Sequence, residues 1–113
     1  MSIREEINRI SKRAGAEDLM PGEAADLLRT LASLLGNLNA YIRQVDLAYK
    51  KTLLKYYSQE ETANRAKIVA ETSQEYQKMR EGRDTKELAI ELMRSLKYFL
   101  KDFEEERRLS GHQ

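Results

Sequence analysis

Between Leu31 and Tyr56, mostly apolar and aromatic residues recur at alternating steps of four and three without interruption. The positions, which we call the seam, are Leu31, Leu35, Leu38, Ile42, Val45, Tyr49, Thr52 and Tyr56. This spacing keeps one face of a helix in contact with a neighbour over many turns. Gly36 and Asn37 are poor helix formers, but the phase of the seam does not shift there. We therefore predict one long helix over residues 21–57, with a kink at Gly36 as the alternative.

The rest of the chain favours helices as well, since it holds one proline and five glycines and lacks strand-like alternation. Ser2 and Glu5 have the spacing of a capping box, and Gly15 stands where a left-handed C-cap belongs, which predicts a helix over residues 1–15. Similar boxes predict two further helices. Ser58 with Glu61 predicts a helix over residues 59–81 that ends at Gly82. The segment from Asp84 to Glu87 predicts a helix over residues 85–108. We expect residues 109–113 to fray.

These elements predict an all-α fold. Three long helices with tight connections should fold back on one another, so we expect an antiparallel bundle of three long helices plus a short N-terminal helix. A chain of 113 residues fits one domain, and we assign residues 1–113 to a single helical domain.

The composition argues against catalysis. The chain has no cysteine and one histidine, His112, so thiolate chemistry, Cys-based zinc sites, Ser-His triads and most transition-metal sites lack their residues. The sequence contains neither of the glycine-rich phosphate-binding motifs, G-x-x-x-x-G-K-[ST] and G-x-G-x-x-G. Acidic pairs at helical spacing, such as Glu71 with Glu75, lack the Glu-x-x-His motif of di-metal bundles and are typical of solvated helix faces. We predict a protein that is not an enzyme and has no catalytic residue, cofactor or metal.

Hydropathy gives an expectation for location. No apolar run approaches the roughly 20 residues that cross a bilayer. The N-terminal residues 1–6 lack the apolar stretch of a signal peptide. We expect a soluble, cytoplasmic protein without membrane contact.

A second set of apolar residues lies roughly opposite the seam on the long helix. This second stripe consists of Ala40, Leu47, Leu54 and Tyr57. A helix that is apolar on two sides is either central in its own fold or shared with another molecule. The predicted helix 59–81 has a narrow, alanine-rich face that offers little area to cover the stripe. We therefore predict a helical protein-interaction protein that self-associates, as a homodimer, and presents a helix surface to a larger partner.

The same region supports an alternative function. Residues 43–57 contain four basic residues against one acidic residue, interleaved with tyrosines. Such a pattern can neutralise phosphates and stack unpaired bases. The candidate single-strand nucleic-acid contacts are Arg43, Lys50, Lys51, Lys55 and Tyr57. The competing interpretation is that the seam tyrosines are buried and the lysines are ordinary surface residues beside them.

One resemblance concerns the C-terminal part of the chain. Residues 92–100, followed by an acidic and basic tail, are similar to the ends of short helical accessory proteins of phages and other mobile elements. The resemblance implies an accessory role and assigns no function to individual residues.

Overall fold

The computed structural model describes residues 2–60 and 62–111, and within these ranges the chain is helical without strands. Four helices follow one another: α1 (Ile3–Ala14), α2 (Pro21–Gln59), α3 (Ala63–Ala70) and α4 (Gln74–Gly111). The all-α prediction is confirmed. The prediction of three long helices is wrong, because the chain has two helices of 39 and 38 residues and two of 12 and 8.

Helix α1 begins as its sequence indicates but ends differently. The Ser2 hydroxyl accepts a hydrogen bond from the Glu5 backbone N–H at 3.1 Å, which is the predicted N-cap. Gly15 has φ −88° and ψ 1°, so the predicted left-handed cap is wrong. Its N–H instead bonds back to the Ser11 carbonyl at 3.2 Å, which ends the helix without any conformation that requires glycine.

Helix α2 is one helix from Pro21 to Gln59 and includes Gly36 and Asn37. Proline is suited to this first position because the N–H that it lacks has no partner in a first helical turn. Ser58 lies inside the last turn of α2, where its hydroxyl donates to the Lys55 carbonyl at 2.7 Å. Ser58 is therefore not the cap of a following helix, and its predicted partner Glu61 lies outside the described residues.

The predicted helix over residues 59–81 is wrong, because the structure divides this stretch. Helix α3 begins after Thr62, whose hydroxyl accepts from the Arg65 N–H at 3.1 Å. It ends at Ala70, where the Ser73 hydroxyl donates to the Ala70 carbonyl. The same hydroxyl accepts from the Tyr76 N–H at 3.2 Å and so serves the first turn of α4. Serine and threonine side chains compete with helical hydrogen bonds in this way, which explains the interruption.

The predicted break at Gly82 and the new helix over residues 85–108 are also wrong, because α4 is continuous through both sites. Gly82 is buried, and a Cβ atom built on it would lie 3.3 Å from Ile42 Cγ1. Glycine here allows close approach of two helices and does not end one. Asp84 therefore lies inside α4 and does not cap a new helix, and the Thr85 hydroxyl donates to the Glu81 carbonyl at 2.7 Å within the same helix. The predicted frayed tail is helical as far as Gly111, and residues 112–113, including His112, lie outside the described residues.

The chain divides into two compact units, a terminal unit and a middle unit. The terminal unit contains α1, α2 as far as Gly36, and α4 from Glu87. Its core consists of apolar side chains from all three helices and from the α1–α2 connection: Ile7, Ile10, Leu19, Ala24, Leu31, Leu34, Ala89 and Leu96. The organisation of the whole chain as one domain stays a prediction.

An ion-pair group in the terminal unit joins the end of α1 to the start of α2. Arg13 donates to Glu23, with one of the two bonds at 2.7 Å, and to Asp18 at 3.1 Å. The hydrogen bond from Arg13 holds the pKa of Glu23 below its usual range, and the two carboxylates raise the pKa of Arg13. Arg13 and Glu23 are half-buried and Asp18 is exposed, so solvent partly screens the group and its contribution to stability is small.

The middle unit spans Asn37–Lys86. Three contacts between α2 and α4 set its arrangement: Ile42 with Gly82, Asp46 with Arg83 at 3.2 Å, and the Tyr49 ring with the Tyr76 ring at 5.3 Å. The contacts at the two ends of this stretch pair Ile42 with Gly82 and Tyr49 with Tyr76, so the later position on α2 meets the earlier one on α4. Antiparallel helix segments give this order of contacts. The buried side chains around them are Leu38, Val45, Ala66, Ala70, Met79 and Thr85.

Candidate interaction surface

The second stripe lies on the surface of α2. All four predicted interface residues, Ala40, Leu47, Leu54 and Tyr57, are exposed. Leu47 is 54% and Leu54 66% exposed, whereas Leu38 in the seam is 2% exposed. Ala40, Leu47 and Leu54 are seven residues apart, which is a step of about 10.5 Å along a helix. The structure therefore brings three apolar side chains into a line on one uncovered face.

The seam has the opposite environment. Leu31, Leu38 and Val45 are buried. The other seam positions, Leu35, Ile42, Tyr49, Thr52 and Tyr56, are half-buried, and none is exposed. One helix thus carries a face that packs within the chain and a face that remains open.

The basic residues of the alternative nucleic-acid site are also at the surface. Arg43, Lys50, Lys51 and Lys55 are exposed, and among the described residues none of them is in an ion pair. The acidic residue of this stretch, Asp46, is engaged by Arg83 instead. Within the described residues, none of these four cations is therefore held in a salt bridge.

The tyrosines of the same stretch divide between the two faces. Tyr49 packs against Tyr76 with the ring planes inclined at 51°. Burial raises the pKa of Tyr49, and the nearby Glu71 carboxylate raises it further. Tyr56 is half-buried and Tyr57 is exposed. Within residues 49–57, Tyr57 therefore offers the open ring on which a base could stack.

The structure also contains two apolar surfaces that the sequence patterns did not identify. The first is Ile68 on α3, which is exposed in a helix without acidic residues. The second is an open groove of about 520 Å³ in the terminal unit, formed by α2 and α4. Its lining is apolar and basic: Leu35, Ile90, Met93, Arg94, Lys97, Tyr98 and Lys101. The sequence feature that could have indicated this groove is the helical spacing of its three cations, Arg94, Lys97 and Lys101, near Ile90 and Tyr98.

The described residues contain neither a candidate metal cluster nor a candidate membrane span. No group of three or more histidine, cysteine, aspartate or glutamate side chains is arranged to hold a metal ion in residues 2–60 and 62–111. In the same ranges, no helix has both the length and the apolar content that a membrane span requires.

Comparison with known proteins gives no further assignment. No protein-family model matches the chain, no curated protein matches its sequence, and no solved structure matches its fold.

Proposed function

We propose that this chain is a non-enzymatic helical interaction protein that forms a homodimer through the second stripe of α2 and presents a helix surface to a larger partner. The observation that carries this proposal is the exposure of Leu47 and Leu54 on a helix whose other face is packed. Apolar side chains at heptad spacing on an open helix face are the arrangement that pairs with another helix.

The magnitude of the apolar burial predicts a weak dimer. In a symmetric dimer each chain contributes Leu47 and Leu54, and burial of their exposed parts contributes on the order of 1–2 kcal/mol each. Association costs on the order of 4–15 kcal/mol in lost freedom, so little remains as net affinity. We expect a dimer that dissociates on dilution. Antiparallel packing of the helices belongs to this proposal and is supported in the middle unit by two contacts of α2 with α4, Ile42 with Gly82 and Tyr49 with Tyr76, which lie in reversed order along the two helices.

Sedimentation velocity across a wide range of protein concentration tests the proposal. The wild-type chain should shift from monomer to dimer, and Leu47→Glu with Leu54→Glu should remain monomeric with an unchanged helical circular dichroism spectrum. The matched control is Met20→Glu with Leu109→Glu, which adds the same charge at similarly exposed apolar positions outside the stripe. A strictly monomeric wild-type chain, or equal dissociation of both variants, would contradict the proposal.

Single-strand nucleic-acid binding is the second candidate function. It is supported by the four exposed cations Arg43, Lys50, Lys51 and Lys55, which lack ion-pair partners among the described residues, and by the open ring of Tyr57. Each phosphate contact should lower log K by about 0.7 per tenfold increase in salt. Anisotropy of a labelled oligothymidylate should therefore show salt-sensitive binding that Lys50→Glu, Lys51→Glu and Lys55→Glu together abolish. Absence of binding at low salt, or binding that survives the triple substitution, eliminates this candidate.

A further inference from the structure

The groove of the terminal unit combines an apolar floor with a basic edge. Four of its lining side chains are apolar or aromatic, namely Leu35, Ile90, Met93 and Tyr98, and the remaining three are cations. The lining contains no carboxylate. Its volume of about 520 Å³ is in the range of grooves that receive ligands, and its lining residues Ile90, Lys97 and Tyr98 are exposed to solvent. An extended apolar and anionic ligand fits this chemistry better than a small enclosed one.

The three cations of the groove lie on one helix at steps of three and four residues: Arg94, Lys97 and Lys101. Residues at this spacing share one helix face. All three are exposed, and among the described residues none is in an ion pair. From Arg94 to Lys101 the helix rises by about 10.5 Å, which is two turns. The groove therefore presents a short row of cations at the period of an α-helix.

We infer that this groove binds an acidic amphipathic helix of a partner protein. Aliphatic side chains of that helix enter the floor between Leu35, Ile90 and Met93, and its carboxylates, spaced by three and four residues, meet the row of cations. Helices recognise grooves by such anchors at three- and four-residue steps. Charge complementarity along the edge sets the orientation and favours rapid association. The inference concerns a surface other than the second stripe, so it holds whether or not the chain dimerises.

The charges at the ends of the cation row favour a short acidic partner over an extended polyanion. Glu91 precedes the row and Glu104 follows it on the same helix, and both are exposed. A long nucleic-acid strand or an anionic membrane surface would approach these carboxylates as well as the cations. The floor also offers one aromatic ring, Tyr98, where a base-stacking site needs several. A helix whose negative charge is confined to two turns avoids both problems.

A direct test uses fluorescence anisotropy of a labelled synthetic helix of about 15 residues, long enough to become helical on binding. The peptide has leucines on one face and, along one edge of its two central turns, glutamates at three- and four-residue steps. We expect saturable binding to the full chain that weakens as salt increases. A peptide with glutamine in place of glutamate, and a scrambled peptide of the same composition, should each bind at least about tenfold more weakly because they lack the charge row or the amphipathic face.

Variants locate the peptide on the protein. Lys97→Glu with Lys101→Glu should weaken binding about tenfold, since each attraction becomes a repulsion. The matched control, Lys67→Glu with Lys78→Glu, makes the same change at exposed positions of the middle unit and should leave the affinity unchanged. Circular dichroism checks that both variants are folded. Leu47→Glu with Leu54→Glu should also bind the peptide normally, which separates this inference from the dimer proposal.

Several outcomes would overturn the inference. One is equal binding of the glutamate and glutamine peptides, or of the wild-type chain and the Lys97→Glu, Lys101→Glu variant. Another is that the wild-type chain binds oligothymidylate, or phosphatidylcholine–phosphatidylserine vesicles, through the same cations. In that case the Lys97→Glu, Lys101→Glu variant would lose this binding, and the acidic peptide would not displace the oligonucleotide or the vesicles from the wild-type chain. A third is that the Lys97→Glu, Lys101→Glu variant sediments as a monomer at concentrations where the wild-type chain is a dimer. A second copy of the chain would then be the occupant of the groove.

Discussion

The two faces of helix α2 differ in what covers them although both are lined by similar side chains. The seam buries Leu38 and Val45, while the second stripe leaves Leu47 and Leu54 mostly in water. Both faces follow from helical periodicity, and both contain leucine and tyrosine. The difference lies in the neighbours: α4 packs along the seam of the middle unit, as the ring contact of Tyr49 with Tyr76 illustrates.

This difference separates stability from recognition on one helix. Apolar side chains that are buried within the chain contribute to folding, and those that remain exposed can contribute only when another molecule covers them. Substitutions on the seam should therefore change the unfolding free energy. Substitutions on the stripe should change association at nearly constant stability.

Paired leucine truncations give the largest expected contrast. Leu38→Ala leaves a cavity in the core and should lower the unfolding free energy by about 2–5 kcal/mol. Leu47→Ala removes an exposed side chain and should lower it by less than about 0.5 kcal/mol when the chain is dilute enough to be monomeric. Urea unfolding followed by circular dichroism measures both values. A loss of similar size in the two variants would mean that the two faces of α2 are not distinct in energy.

The periodicity of the sequence was sufficient to predict α2, its two faces and the N-cap of α1, because these features depend on local spacing. The positions of the other helix ends were not predictable in this way. Gly82 resembles a stop signal in the sequence, but in the structure it permits contact with Ile42, and only the tertiary neighbour distinguishes the two roles. Ser73 likewise has no capping-box partner, yet its hydroxyl serves both α3 and α4.

The groove on α4 illustrates a further limit. The spacing of Arg94, Lys97 and Lys101 was visible, but a row of cations on a helix is usually a solvated face. Its significance depends on Leu35, which comes from α2 and completes the apolar floor. Contacts between residues this far apart in the chain are fixed by packing, so a linear pattern does not contain them.

Two glycines extend the contrast between the faces of α2 with a smaller effect. Gly36 is exposed on α2, and a Cβ atom there would meet nothing within 4 Å. Gly36→Ala should therefore stabilise the chain by about 0.5–1 kcal/mol through helix propensity. Gly82 packs against Ile42 of the seam, so Gly82→Leu should destabilise by about 1–3 kcal/mol through overpacking. Thermal unfolding should show that Gly36→Ala raises the stability of the chain and that Gly82→Leu lowers it. Stabilisation by Gly82→Leu would contradict the close packing of Gly82 against Ile42.

The smallest expected effect compares one tyrosine on each face at high pH. Burial raises the pKa of Tyr49 above its ordinary value of 10.0, so the folded chain favours the neutral phenol. The resulting stabilisation is fully present below pH 10 and is lost as the pH rises through the higher folded value. Because phenylalanine has no phenol to ionise, Tyr49→Phe should lose less stability than the wild type at high pH while its ring stays against Tyr76. Tyr57→Phe, which removes an exposed hydroxyl on the open stripe, is the matched control. Urea unfolding at about pH 9 and about pH 11 measures the difference. If Tyr49→Phe loses as much stability as wild type between these values, the phenol of Tyr49 is not desolvated by the seam.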